Sequence, residues 1–209
     1  MYWKYASLVM FIVFCVWVRV ELSLMRNRES DKEEKFWERE REANSTRRKP
    51  IDHLDYITVP DTLPFECLND NAQIAECISV IRDISNEQIL NLTGFSNTDI
   101  KLEYGVANFD ILSKADANYT TLVTTLQKWA DELNRNQKQN EAVKLMEYAI
   151  SIGTDVGSTY RKLGAYYLKT GNIPNFEALM NSAEGIRSLS KNSIIAVLNE
   201  MYEKAGLSE

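Results

Sequence analysis

Beyond residue 70 the apolar residues recur at helical spacing, and before residue 19 they form one unbroken run. Ile74, Cys77, Ile78 and Ile81 stand at i, i+3, i+4 and i+7, which predicts a helix over Asn71–Ile84 with one face buried. A short helix is expected from Asn86 to Gly94, and a third over Asp99–Tyr104, closed by Gly105. Asp116 reads as the cap of a long helix carrying Tyr119, Leu122, Val123, Leu126, Trp129 and Leu133, which ends in the polar turn Asn134–Asn140. The next helix, Glu141–Ile152, turns Ala142, Leu145, Met146, Ala149 and Ile150 inward and stops at Gly153. Val156–Thr170 follows with Tyr160, Leu163, Gly164 and Tyr167 and stops at Gly171-Asn172. Pro174 suits the first turn of its successor, which carries Phe176, Leu179, Met180 and Ala183. Lys191–Lys204, with Ile194, Val197, Leu198 and Met201, reads as a closing cap helix. Between Ile51 and Phe65 the prolines at 60 and 64 forbid helix, and an extended segment pinned by Leu54, Tyr56 and Phe65 is expected.

The early run has a different character. Tyr5 to Val18 carries no charge, and Lys4 and Arg19 bracket it with stems long enough to snorkel. Trp3 to Val20 amounts to roughly 27 Å of helix, slightly short of a hydrocarbon core about 30 Å thick. Tyr2, Trp3, Tyr5 and Trp17 sit where interfacial aromatics are favoured. The expectation is a single-pass transmembrane helix within residues 1–25, touching the bilayer through residues 3–20. A cleaved signal peptide is the alternative, but no small-x-small cleavage pattern follows in Val18-Arg19-Val20-Glu21-Leu22. Arg19, Arg26, Arg28, Lys32, Lys35, Arg39 and Arg41 all follow the run, so the positive-inside bias would leave the C-terminal bulk in the cytoplasm, at a bacterial cell membrane. Cys15, Cys67 and Cys77 make neither a disulfide framework nor a metal spacing.

Charge then divides the remainder. Residues 26–49 hold nine basic and seven acidic residues and read as a charged juxtamembrane stalk, helical over 31–43, where Phe36 and Trp37 are the large apolar residues. Residues 50–209 hold 13 basic and 22 acidic residues, which excludes an electrostatic footprint for nucleic acid. His53, the one histidine, reads as a surface residue.

Within the acidic part, residue classes repeat at a separation of 34 positions: Trp129 recurs as Leu163, Ala130 as Gly164, Leu133 as Tyr167, Met146 as Met180 and Ala149 as Ala183. One unit supplies Leu126, Trp129, Ala130, Leu133, Ala142 and Ala149, and the next supplies Tyr160, Leu163, Gly164, Tyr167, Gly171 and Ala183. On these residues, 123–156 and 157–190 resemble two units of the tetratricopeptide repeat family. Phe176 departs from that family's small residue at the corresponding place, and no proline closes either unit. The whole arrangement, including Leu54-Asp-Tyr-Ile-Thr-Val-Pro60, also looks like single-pass membrane proteins of clostridial bacteria. The fold class expected is all-α: a transmembrane helix (1–25), a stalk (26–49), an extended segment (50–69) and a helical-hairpin body (70–209).

The resemblance implies a concave groove lined by the first helix of each unit. It would place Thr124, Gln127, Asp131, Asn134, Ser158, Arg161, Ala165 and Lys169 there, a polar face of mixed sign. The same residues also suit an ordinary solvated helix face. The function expected is a membrane-tethered adaptor or scaffold that holds a protein or peptide partner at the cytoplasmic face. An alternative is the same body acting outside the membrane at the cell envelope. An enzyme is the third alternative, and the sequence argues against it: there is a single histidine, no paired carboxylates in a recognisable frame, no phosphate loop and no nucleophile elbow. No catalytic residue, metal or cofactor is expected.

Overall fold

A computed structural model describes residues 3–206; for residues 3–8, 27, 28 and 30 it describes the backbone alone. Every regular element among the described residues is helical. The chain divides into two compact units, one from the chain up to Lys49 with Asn97–Ala107, the other from Pro50–Ser96 with the chain from Asn108 onward.

In the first unit, helix α1 runs unbroken from Trp3 to Ser45, because no glycine or proline occurs in that stretch. The helix expected over 31–43 is thus the last third of a longer one. The expected transmembrane helix is corrected here: among the described residues, no helix is long and apolar enough to cross a membrane. From Val9 the charge-free run ends at Val18, which is about 15 Å of helix, and Arg19, Glu21 and Arg26 follow directly. The start of the expected span falls partly outside the described residues (Met1, Tyr2) and partly on residues 3–8, whose side chains are not described.

Helix α3 (Asn97–Tyr104) docks on the last turns of α1 through polar contacts. Glu40 accepts from Lys101 Nζ at 2.5 Å and from Thr98 Oγ1 at 2.7 Å, and Lys101 also donates to Asn44 at 2.9 Å. The Lys101 hydrogen bond, then that of Thr98, holds the Glu40 carboxyl below its ordinary range. Arg39 pairs with Asp99 at 2.5 Å, and Ala43 is buried. The connection closes at Gly105, whose φ of 88° and close approach to the Arg47 backbone exclude a side chain.

The second unit is built around α4 (Phe109–Arg135). Its apolar residues cover two faces, one packed by α2 (Ala72–Ser85) and one by α5 (Gln139–Ser151). Tyr119, Leu122, Leu126, Trp129, Ala130 and Leu133 lie at its buried centre. A second hairpin, α6 (Gly157–Thr170) with α7 (Ile173–Glu184), follows α5, and α8 (Lys191–Lys204) closes against both of its helices. The second helix of each hairpin starts at Gln139 and Ile173, a separation that repeats the 34-residue register. At the α6–α7 turn, Gly171 takes the left-handed conformation and Asn172 caps α7 by accepting from the Asn175 N–H.

Two local expectations fail for one reason. Residues 86–96 form no helix; they cross α4 in extended form and bury Ile89, Leu90 and Leu92. Asp116, expected to start a helix, is instead inside α4 and accepts from the Leu92 N–H at 3.0 Å. Asn91 fastens the same crossing, donating to Tyr119 Oη at 2.9 Å, to the Ile152 carbonyl at 3.1 Å and to the Gly153 carbonyl at 3.3 Å. Side chains of α4 satisfy backbone groups that a local helix would have satisfied itself. Residues 51–65 are non-helical as expected. Ile51 and Leu63 are buried there, while Ile57, Val59 and Phe65 pack on the core; Leu54 and Tyr56 remain half-buried.

Candidate functional site

Helices α2 and α4 leave a cleft of about 280 Å³ between them. From α2, Gln73, Glu76, Cys77 and Val80 line it at i, i+3, i+4 and i+7, so one face of that helix forms a wall. From α4 come Thr125, Lys128, Asp131, Glu132 and Arg135.

The N-terminal end of the cleft wall is held by Glu132. This carboxylate is only 9% exposed and accepts from Arg135 at 2.8 Å, from Asn136 Nδ2 at 3.2 Å and from Asn71 Nδ2 at 3.3 Å. With its amide nitrogen turned toward the carboxylate, Gln73 adds a donation at 2.8 Å. The Arg135 hydrogen bond, outweighing burial, keeps the Glu132 carboxyl below its ordinary range. Asn71 works twice, because its Oδ1 also accepts from the Gln73 and Ile74 N–H groups and caps α2.

The cleft lining also includes two charges of opposite sign on facing helices. Neither Glu76 on α2 nor Lys128 on α4 forms an ion pair or hydrogen bond among the described residues. Both act on the buried Cys77 thiol, in opposite directions, while desolvation dominates and pushes that thiol up. Beside them Val80 and Thr125 supply an apolar and a hydroxyl surface.

Of the residues expected in a groove, the structure brings some together and leaves others apart. Asp131 lines the cleft and also pairs with Lys162 of α6. Gln127 is engaged within the body, donating to Asp131 Oδ1 at 2.6 Å and accepting from the buried Thr159 hydroxyl at 2.5 Å. Thr124 is exposed and its hydroxyl returns to the Thr120 carbonyl at 2.8 Å. Asn134 and Ser158 are half-buried, and Arg161, Ala165 and Lys169 are exposed; none of these five makes a side-chain hydrogen bond among the described residues. Gln127 and Asp131 therefore bridge α4 to α6, and Asp131 shares the cleft with its neighbours Lys128, Glu132 and Arg135. The signal available beforehand was Glu132 itself, a carboxylate set inside the apolar stripe of Trp129, Ala130 and Leu133.

Among the described residues, no group of three or more His, Cys, Asp or Glu side chains stands close enough to hold a metal ion. No protein-family model matches the chain, and no curated protein or solved structure matches it.

Proposed function

We propose that the second unit is a protein-interaction module whose α2–α4 cleft holds an extended segment of a partner protein. The observation that carries this reading is the unpaired Glu76 and Lys128 on opposite walls of one cleft. Charges left without partners in a concave site are available to a ligand, and ones of opposite sign select a segment bearing both a basic and an acidic side chain. Gln73, Thr125 and Asp131 add polar groups that fix the orientation of such a segment, and Val80 gives it apolar contact. The likeness of residues 123–190 to tetratricopeptide units supports the same class of activity, since arrays of helical hairpins present extended binding surfaces. The membrane tether forms no part of this reading.

The test is selection of short peptides from a displayed random library against the full chain, followed by titration of the winners. Enriched peptides should carry both charge signs. Their affinity should fall about tenfold or more on Glu76→Ala or Lys128→Ala, the loss of roughly 1.4 kcal/mol expected for one charged contact. Both variants should keep the unfolding midpoint of the parent, because neither side chain has a partner within the fold. Enrichment of no peptide, or binding indifferent to both substitutions, overturns the reading.

A further inference from the structure

Three carboxylates line the α2–α4 cleft, and they differ in what each leaves for a ligand. Glu132 is spent on Arg135, Asn71 and Asn136. Glu76 has no partner among the described residues. Asp131 is divided between the two conditions. Its Oδ1 accepts from Gln127 Nε2 at 2.6 Å and from the Lys162 ammonium of α6. Its Oδ2 accepts from no described residue, and the side chain keeps 29% of its surface exposed. An ionised carboxylate accepts at both oxygens, so half of this one is left over.

No residue of α6 lines the cleft, yet α6 reaches it at this carboxylate. Two contacts make the connection, and they act differently. Gln127 is neutral and is itself fixed by the buried Thr159 hydroxyl of α6, which donates to its Oε1 at 2.5 Å. It orients the Asp131 carboxylate and leaves its charge whole. Lys162 brings a full positive charge to the same group and is 41% exposed. A second cation approaching Oδ2 is attracted by Asp131 and repelled by Lys162, at nearly the same place.

We infer that Asp131 reads the basic side chain of a segment held in the cleft, through Oδ2, and that Lys162 of the second hairpin is a built-in competitor which weakens that contact. The inference rests on the reading of the α2–α4 cleft as a peptide site. A lysine or arginine of the partner makes a charge-assisted hydrogen bond to Oδ2, while Lys128 takes the partner's acidic side chain. Lys162 then sets the strength of binding from outside the cleft, and its removal strengthens the complex. Gln127 is the positioning residue, because it holds the carboxylate in place whether or not Lys162 is present.

The experiment uses the full chain and, as probe, a peptide selected against it from a displayed random library, beside the same peptide with its lysine or arginine replaced by norleucine. Lys162→Met should bind the basic peptide about threefold more tightly, the gain expected from removing one partly exposed like charge. Asp131→Asn, which keeps an oxygen for Gln127, should bind it about fivefold more weakly. Neither substitution should change the affinity for the norleucine peptide, which a merely structural role would alter as well. Selected peptides without a basic residue overturn the inference. So does a Lys162→Met chain that binds the basic peptide no better than the parent, or an Asp131→Asn chain that weakens both peptides alike. Peptides that respond to Glu76→Ala and Lys128→Ala but not to changes at 131 and 162 leave the cleft reading standing and overturn this inference alone. Enrichment of no peptide overturns both.

Discussion

The Cβ that Gly164 lacks would lie 3.1 Å from Cε2 of the Phe176 ring. Phe176 is completely buried. The helix facing it makes the space, by carrying no side chain at position 164. Leu198 and Met201 of α8 close the same gap, at 3.2 Å and 3.4 Å from the missing carbon. Gly164→Ala gains helix propensity of up to about 1 kcal/mol but overpacks three neighbours, which costs roughly 1–3 kcal/mol. The net expectation is a chain about 1 kcal/mol less stable in denaturant titration. Adding Phe176→Leu to the variant should recover part of that loss, and a double-mutant cycle that shows no coupling would refute the account.

Acid stability should report on Glu132. Its carboxyl is held low in the folded chain, chiefly by Arg135. A carboxyl lowered on folding contributes stability that is present above its unfolded pKa and lost as pH falls through the folded value. Stability should therefore decline below about pH 4.3, the ordinary range of a glutamate. Glu132→Gln should be less stable than the parent at neutral pH, and the two should converge on acidification. Denaturant midpoints measured across that range check this; parallel curves would count against it.

Removal of Asn91 should loosen the crossing of residues 86–96 over α4. Asn91→Ala abolishes donations to Tyr119, Ile152 and Gly153. The expected loss is about 1 kcal/mol, as partly buried acceptors lose a donor. Amide exchange should speed up at Leu90 and Leu92 more than in α7, which makes none of these contacts.

In the first unit, Gly105→Ala should undock α3. The added carbon would fall 2.3 Å from the Arg47 carbonyl oxygen, a backbone atom that cannot turn aside, and the positive φ adds its own strain. Hydrogen exchange of Asn97–Tyr104 should approach that of an unfolded peptide, while α5 and α6 keep their protection.

The helices legible in the sequence are those whose burial is one-sided. Ile74, Cys77, Ile78 and Ile81 announce α2 because a single face packs, and Gly153 and Gly171 announce the hairpin ends because both adopt positive φ. Residues 86–96 misled because Ile89, Leu90 and Leu92 are buried by a crossing that only the tertiary fold provides. The N-terminal span misled because it was measured from Trp3 to Val20, across Lys4 and Arg19, whereas the charge-free stretch with described side chains runs from Val9 to Val18. Of the residues expected to line a groove, Asp131 alone also lines the α2–α4 cleft. Polar residues on an outer helix face look alike in sequence whether they meet solvent, as Arg161 does, or a neighbouring helix, as Gln127 does.

The double duty of Asn71 has a consequence for how the cleft behaves. One amide ends the first turn of α2 with its oxygen and grips Glu132 of α4 with its nitrogen. Departure of α2 from α4 would therefore also uncap its first turn, so the helix start and the helix packing report on one another.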